Sequence, residues 1–195
     1  MMEEPGIKNP LSPDAILQSE FNYIIQTVSQ AEEDRKSISS FYIVSVGTLV
    51  AAMISTRLEG TNMAAIYWAF ACLLVVLSLV GLLTLLQLAR LRAAWYESMI
   101  AMNQIKDYYI KRLPAEKLEE ALRWRTSTLP PRSKAWSISF LFAAQVAALA
   151  STTLAGAVLL ALYALGYSGW WAAVPTGIAF FAVQILLYLR LLRKK

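Results

Sequence analysis

The chain has 195 residues, 57% of them hydrophobic and 16% charged, with a formal net charge of +5 and a mean hydropathy of +0.49. Soluble domains carry about 25% charged residues, so this composition points to a lipid environment. Histidine is absent, which removes the commonest general base and metal ligand together, and a single cysteine excludes an intramolecular disulfide.

Residues 1–36 read as an N-terminal tail and an amphipathic helix. The opening carries Glu3 and Glu4 rather than the basic start of a secretory leader. In "SPDAILQSEFNYIIQTVSQAEEDRKS", Ser12 suits a cap, Pro13 the first helical position and Asp14 the positive end of the helix dipole. Leu17, Phe21, Ile24 and Val28 then recur on one face. No glycine or proline intervenes before Gly47, so the helix is expected to run into the first span.

Residues 37–89 form the first transmembrane hairpin. Residues 37–56 and 60–89 contain no Asp, Glu, Lys or Arg. Each is long enough to cross about 30 Å of hydrocarbon. Cys72 falls inside the second span, where a buried packing role is expected.

Residues 90–134 are the basic helical region. No proline interrupts the chain from the second span to Pro114, giving a helix of about 50 residues at the usual limits of such punctuation. Trp95, Met99, Met102 and Tyr109 share a face, broadened by Ile105 and Tyr108. Two apolar stripes on helices leaving the membrane side by side would bury each other, which places Phe21, Ile24 and Val28 against this face. After Pro114, "AEKLEEALRWR" reads as a short helix and "TSTLPPRSK" as a loop.

Residues 135–189 form the second hairpin, with uncharged runs at 135–165 and 166–189, and residues 190–195 a basic tail. The third span carries two columns of small residues: Ala143, Ala147, Ser151 and Ala155, and beside it Ala144, Ala148, Thr152 and Gly156. Small residues every fourth position let helices approach closely in lipid, making this the expected central packing helix. Gln145 and Gln184 are polar insertions at similar depth, expected to bond to one another as glue or to line a pore. Pro175 and Gly177 are expected to kink the fourth span near its start.

Basic residues cluster before the first span, between spans two and three, and after span four, whereas the two hairpin loops contain only Arg57. The positive-inside bias therefore puts both termini and residues 90–134 in the cytoplasm. Within that side the charge divides: residues 1–36 are net −4 and residues 90–134 net +5. Docking of Glu32, Glu33 and Asp34 on the basic region, within or between subunits, is the expectation this raises. The architecture is all-α and polytopic, four transmembrane helices in two hairpins with cytoplasmic helical extensions.

Catalytic motifs, zinc spacings and nucleotide loops are absent from the sequence, so no enzyme activity, metal or cofactor is expected. No charged residue lies in a span, which argues against an ion-coupled carrier. "LRWRTSTLPPRSK" pairs arginines with tryptophan, but lipid headgroups explain its charge better than a nucleotide ligand, and no nucleic-acid partner is expected. Finally, "AEEDRKSISSFYIV" at the first junction and "AMNQIKDYYIKRLP" after the second span resemble the SLATT-type and SMODS-associated four-transmembrane effectors of bacterial anti-phage systems, and related four-span bacterial proteins. The resemblance covers roughly the first two-thirds of the chain. It implies a homo-oligomer that forms a pore in, or perturbs, the cell inner membrane when triggered. The alternative expectation is a non-conducting scaffold that recruits a soluble protein through its cytoplasmic helices.

Overall fold

The structure, a computed structural model, describes residues 13–55, 62–112, 125–129, 131–132, 134 and 137–193. Among them every long element is helical: α1 (Pro13–Ser55), α2 (Met63–Arg112), α3 (Ile138–Ala164) and α4 (Trp170–Arg193), with a 3-10 turn at Thr126–Thr128. The expected cap at Ser12, the loop around Arg57 and nearly all of the short helix after Pro114 lie outside the described residues. All four helices are long and apolar enough to cross a membrane. The 43 residues of α1 and 50 of α2 extend about 65 and 75 Å, at least twice the thickness of the hydrocarbon layer.

Two compact units divide the chain. The first comprises residues 1–32 and 94–130, the second residues 33–93 and 131–195. Both α1 and α2 contribute to each.

In the first unit, the α1 positions Leu17, Phe21, Ile24 and Val28 are all partly or fully buried, with Ile24 only 4% exposed. On α2, Trp95, Met99, Met102, Ile105 and Tyr109 are partly buried, as the periodicity predicts. The 3-10 turn is anchored through Asp107 of α2, whose carboxylate accepts from the Thr126 hydroxyl at 2.8 Å and pairs with Arg125 at 3.5 Å.

In the second unit, one apolar core draws on all four helices. Tyr42 and Val46 of α1 meet Leu85, Leu88 and Ala89 of α2, Ala143, Val146, Ala147 and Ala150 of α3, and Tyr188 and Leu192 of α4. Within the most apolar window of each helix, α2 and α3 are more buried (39% and 33%) than α1 and α4 (17% each). The central role expected for α3 is therefore shared with α2.

Hydroxyl groups within the helices bond back to their own backbone: Ser45 to the Phe41 carbonyl, Thr84 to Val80, Ser151 to Ala147 and Thr152 to Ala148, at 2.7–2.9 Å. Such bonds satisfy polar groups without water, as a lipid-embedded helix requires. Ser137 caps α3, its hydroxyl accepting from the Phe140 N–H at 3.2 Å. Gly166, at φ +81°, ends the helix, and the Tyr167 N–H returns to the Leu162 carbonyl at 2.9 Å. Around this turn Tyr163, Tyr167, Trp170 and Trp171 are exposed, and the Tyr67 and Tyr163 rings stand 6.3 Å apart. Exposed aromatics at one end of an apolar bundle form the belt expected at a membrane interface.

Cys72 departs from expectation. It is exposed on α2 rather than buried. The buried line of that helix runs through Ala71, Leu74, Ser78, Gly81, Leu85 and Leu88, and Cys72 sits about 100° around the helix from Ala71. The thiol instead lines an outward apolar groove with Trp68, Val75, Val76 and Val158.

Candidate membrane and interaction sites

The two columns of small residues on α3 have different surroundings. Ala143, Ala147 and Ser151 are buried, the first two at 0% exposure, while Ala155 is half-buried. In the second column Ala144 and Gly156 are half-buried and Ala148 and Thr152 are exposed. The buried column lets α4 approach. A Cβ added to Gly177 would stand 3.1 Å from the Ala155 Cβ and 3.3 Å from the Ser151 carbonyl oxygen. Gly177 therefore serves close contact between α3 and α4. Pro175 lies within α4 without ending it.

Gln184 is fully buried, and its amide donates to the Ser151 hydroxyl at 3.3 Å. The expected bond to Gln145 is not made. Gln145 is exposed, because the buried face of α3 passes through Ala143, Val146, Ala147, Ala150 and Ser151 and leaves position 145 on the other side. Ala148 and Thr152 share that outward face. They border an open groove of about 430 Å³, whose other members include Ala155, Gly177, Ile178 and Phe181.

A polar cluster closes the core at the opposite end from the aromatic turn. The Ser139 hydroxyl accepts from the guanidinium of Arg35 on α1 and, at 3.5 Å, from that of Arg92 on α2. Its carbonyl accepts from the Tyr188 hydroxyl of α4 at 3.4 Å. All four helices thus converge on the second residue of α3. Sequence periodicity had placed neither arginine in a site, because each reads as an ordinary charge flanking a span. The one available signal was that Arg92 lies one turn beyond the core residue Leu88.

In the first unit, Leu17 and Phe21 of α1 and Ile105 and Tyr109 of α2 line a groove of about 330 Å³, with Asp14 and Lys106 at its polar margin. Asp14 pairs with Arg112 at 3.5 Å, and Arg112 also donates to the Tyr108 hydroxyl at 2.8 Å. That hydrogen bond first, then electrostatic interaction with Tyr108 and after it with Asp14, raises the already high pKa of the Arg112 guanidinium. Glu32, Glu33 and Asp34 are exposed and form no ion pair among the described residues. Within the chain, the ion pair between acidic α1 and basic α2 is that of Asp14 with Arg112. Asn103 was not anticipated. It is 0% exposed, and neither its amide nitrogen nor its oxygen has a hydrogen-bond partner. It lies one turn from Met99, inside the apolar stripe.

No protein-family model, curated protein or solved structure matches the chain. Its class rests on its own residues, and that class is an all-α, multi-pass membrane protein.

Proposed function

We propose that the chain is a homo-oligomeric inner-membrane protein, with both termini in the cytoplasm, whose assembly forms a pore or perturbs the bilayer. The observation that carries this reading is Gln145. It is exposed on a membrane-spanning helix, on the same face as Ala148 and Thr152, which border an open groove. A primary amide facing hydrocarbon without a partner is costly, and a second copy of the chain offers both a partner amide and a helix to fill the groove.

The packed centre of the second unit supports conduction between chains rather than through one. Leu85, Val146, Ala143 and Ala147 are at 0% exposure and belong to one apolar core shared by the four helices. The resemblance to anti-phage effectors extends the proposal to a triggered role in defence. The direct test replaces Cys72 with Ser, introduces Gln145→Cys, and oxidises native membranes. Disulfide-linked dimers are expected at Gln145→Cys and not at Ile185→Cys, a half-buried α4 position packed on the core. Induced expression with a potential-sensitive dye then reads conduction. Absence of cross-linked dimers would remove the oligomer, and full retention of potential with dimers present would remove the pore.

A second reading, a non-conducting scaffold, is favoured by the groove between Leu17, Phe21, Ile105 and Tyr109. Pull-down of a soluble protein, abolished by Phe21→Asp and Tyr109→Asp, would select it.

A further inference from the structure

We infer that the groove between α1 and α2 in the first unit is a binding site for a free medium-chain fatty acid, its carboxylate set against Lys106. The site is independent of whether the protein conducts. It gives the groove a small-molecule occupant where the scaffold reading gives it a protein.

The groove has an apolar floor and one unanswered charge. Leu17, Phe21, Ile105 and Tyr109 supply the floor, and Asp14, Gln18 and Lys106 the polar edge. Its volume of about 330 Å³ lies in the range of small-ligand pockets, about 300–1,000 Å³, whose walls are mostly apolar with a few polar groups to orient the ligand. A stable protein interface draws on about 20–30 residues a side, several times the described lining of this groove.

The edge fixes the sign of the head. Asp14 is offset by Arg112 at 3.5 Å. Asp107, next to Lys106 in sequence, is taken up by Arg125 and Thr126. Lys106 itself is half-buried and joins no ion pair among the described residues. Partial burial strips water from its ammonium, and no anion makes up the loss. A carboxylate does so through a charge-assisted hydrogen bond. A cationic head would meet a carboxylate already paired and an ammonium that repels it, and a neutral head would leave the ammonium unanswered.

The floor fixes the body. A flexible alkyl chain follows the uneven surface between two aromatic and two aliphatic side chains, and its burial supplies the affinity. Hydrolysis of the lipids around the protein's own spans is the source of such an acid.

The test uses full-length protein in phosphatidylcholine nanodiscs. Amide exchange of residues 14–24 and 102–110 is read by mass spectrometry with decanoate, decylammonium or decanol. Decanoate is expected to slow exchange there about threefold, and the other two to have less than half that effect. Lys106→Gln should raise the decanoate concentration for half-protection about fivefold. Lys106→Arg should keep it, and Lys106→Glu should transfer the preference to decylammonium. Lys111→Gln, an exposed charge on α2 outside the groove, should behave as wild type. Equal protection by all three probes, none in wild type, or a decanoate response unaltered by Lys106→Gln would overturn the site. Protection of ligand-free protein that is lost in single-copy discs would put a second copy in the groove, and protection by soluble extract but not by decanoate would put a protein there. Protection by phosphatidylglycerol discs without added acid would give the groove to a phospholipid. Each of these three outcomes also overturns the fatty-acid site. The wild-type comparison of the three probes decides the question even where a Lys106 variant fails to fold.

Discussion

Tyr42 of α1 lies so close over Gly81 of α2 that a methyl group added to the glycine would overlap the tyrosine hydroxyl. The same methyl would stand 2.6 Å from the Ala150 Cβ of α3. Three helices therefore meet at one missing side chain, and the Tyr42 hydroxyl uses the space to donate to the Leu77 carbonyl at 3.3 Å.

Gly81→Ala should consequently destabilise the protein. In an unhindered helix the change would gain about 0.5–1 kcal/mol. Overpacking costs about 1–3 kcal/mol, and with two neighbouring helices obstructed the cost wins. The midpoint of denaturation in mixed micelles should fall. Adding Tyr42→Phe should restore only part of the loss, since Ala150 still blocks the methyl. An unchanged or raised midpoint in Gly81→Ala would mean that α1, α2 and α3 do not meet there.

Asn103→Leu should stabilise the first unit. A buried amide with no partner forfeits its hydration, which costs about 1–3 kcal/mol, and leucine removes that penalty while adding apolar area. Hydrogen exchange of the neighbouring α2 amides should slow by about tenfold. Faster exchange would show that the amide is engaged by a group supplied from elsewhere.

The bond between Gln184 and Ser151 is open to a double-mutant cycle with Gln184→Leu and Ser151→Ala. Side-chain bonds between helices in lipid average about 0.6 kcal/mol, so a coupling of that order is expected. Parallel substitutions at Gln145 should show no coupling to Gln184 within one chain. Coupling between the two glutamines would overturn the placement of position 145 on the outer face.

Asp107→Asn should loosen the turn at Thr126–Thr128. The Asp107 and Arg125 side chains are each about 30% exposed, so the aspartate's contribution is near 1 kcal/mol rather than several. Limited trypsinolysis after Arg125 should accelerate about fivefold, and raised salt should mimic part of the effect in wild type. Cleavage at the wild-type rate would mean that the turn is held by other contacts.

Much of this fold was legible in the residues. Pro13 with Asp14 marks the start of α1, and the run free of proline up to Pro114 accounts for the length of α2. Periodicity placed Leu17, Phe21, Ile24 and Val28 inward because apolar spacing near 3.6 directly reports one face. It failed where rotation about the membrane axis mattered. In a helix apolar all round, nothing in the pattern separates the buried side from the lipid side, so the burial expected of Cys72 and the bond expected between Gln145 and Gln184 do not occur. Arg35 and Arg92 escaped notice for a different reason. Charges next to spans are explained by topology alone, and only the meeting of four helices at Ser139 gives these two a shared place.

The filled centre of the four-helix unit has a consequence for dosage. If the proposed pore lies between copies, a lone copy carries none of it, and any leak demands a quorum of neighbours. Injury to the cell would then climb more steeply than copy number, remaining silent at basal synthesis and appearing abruptly past a threshold.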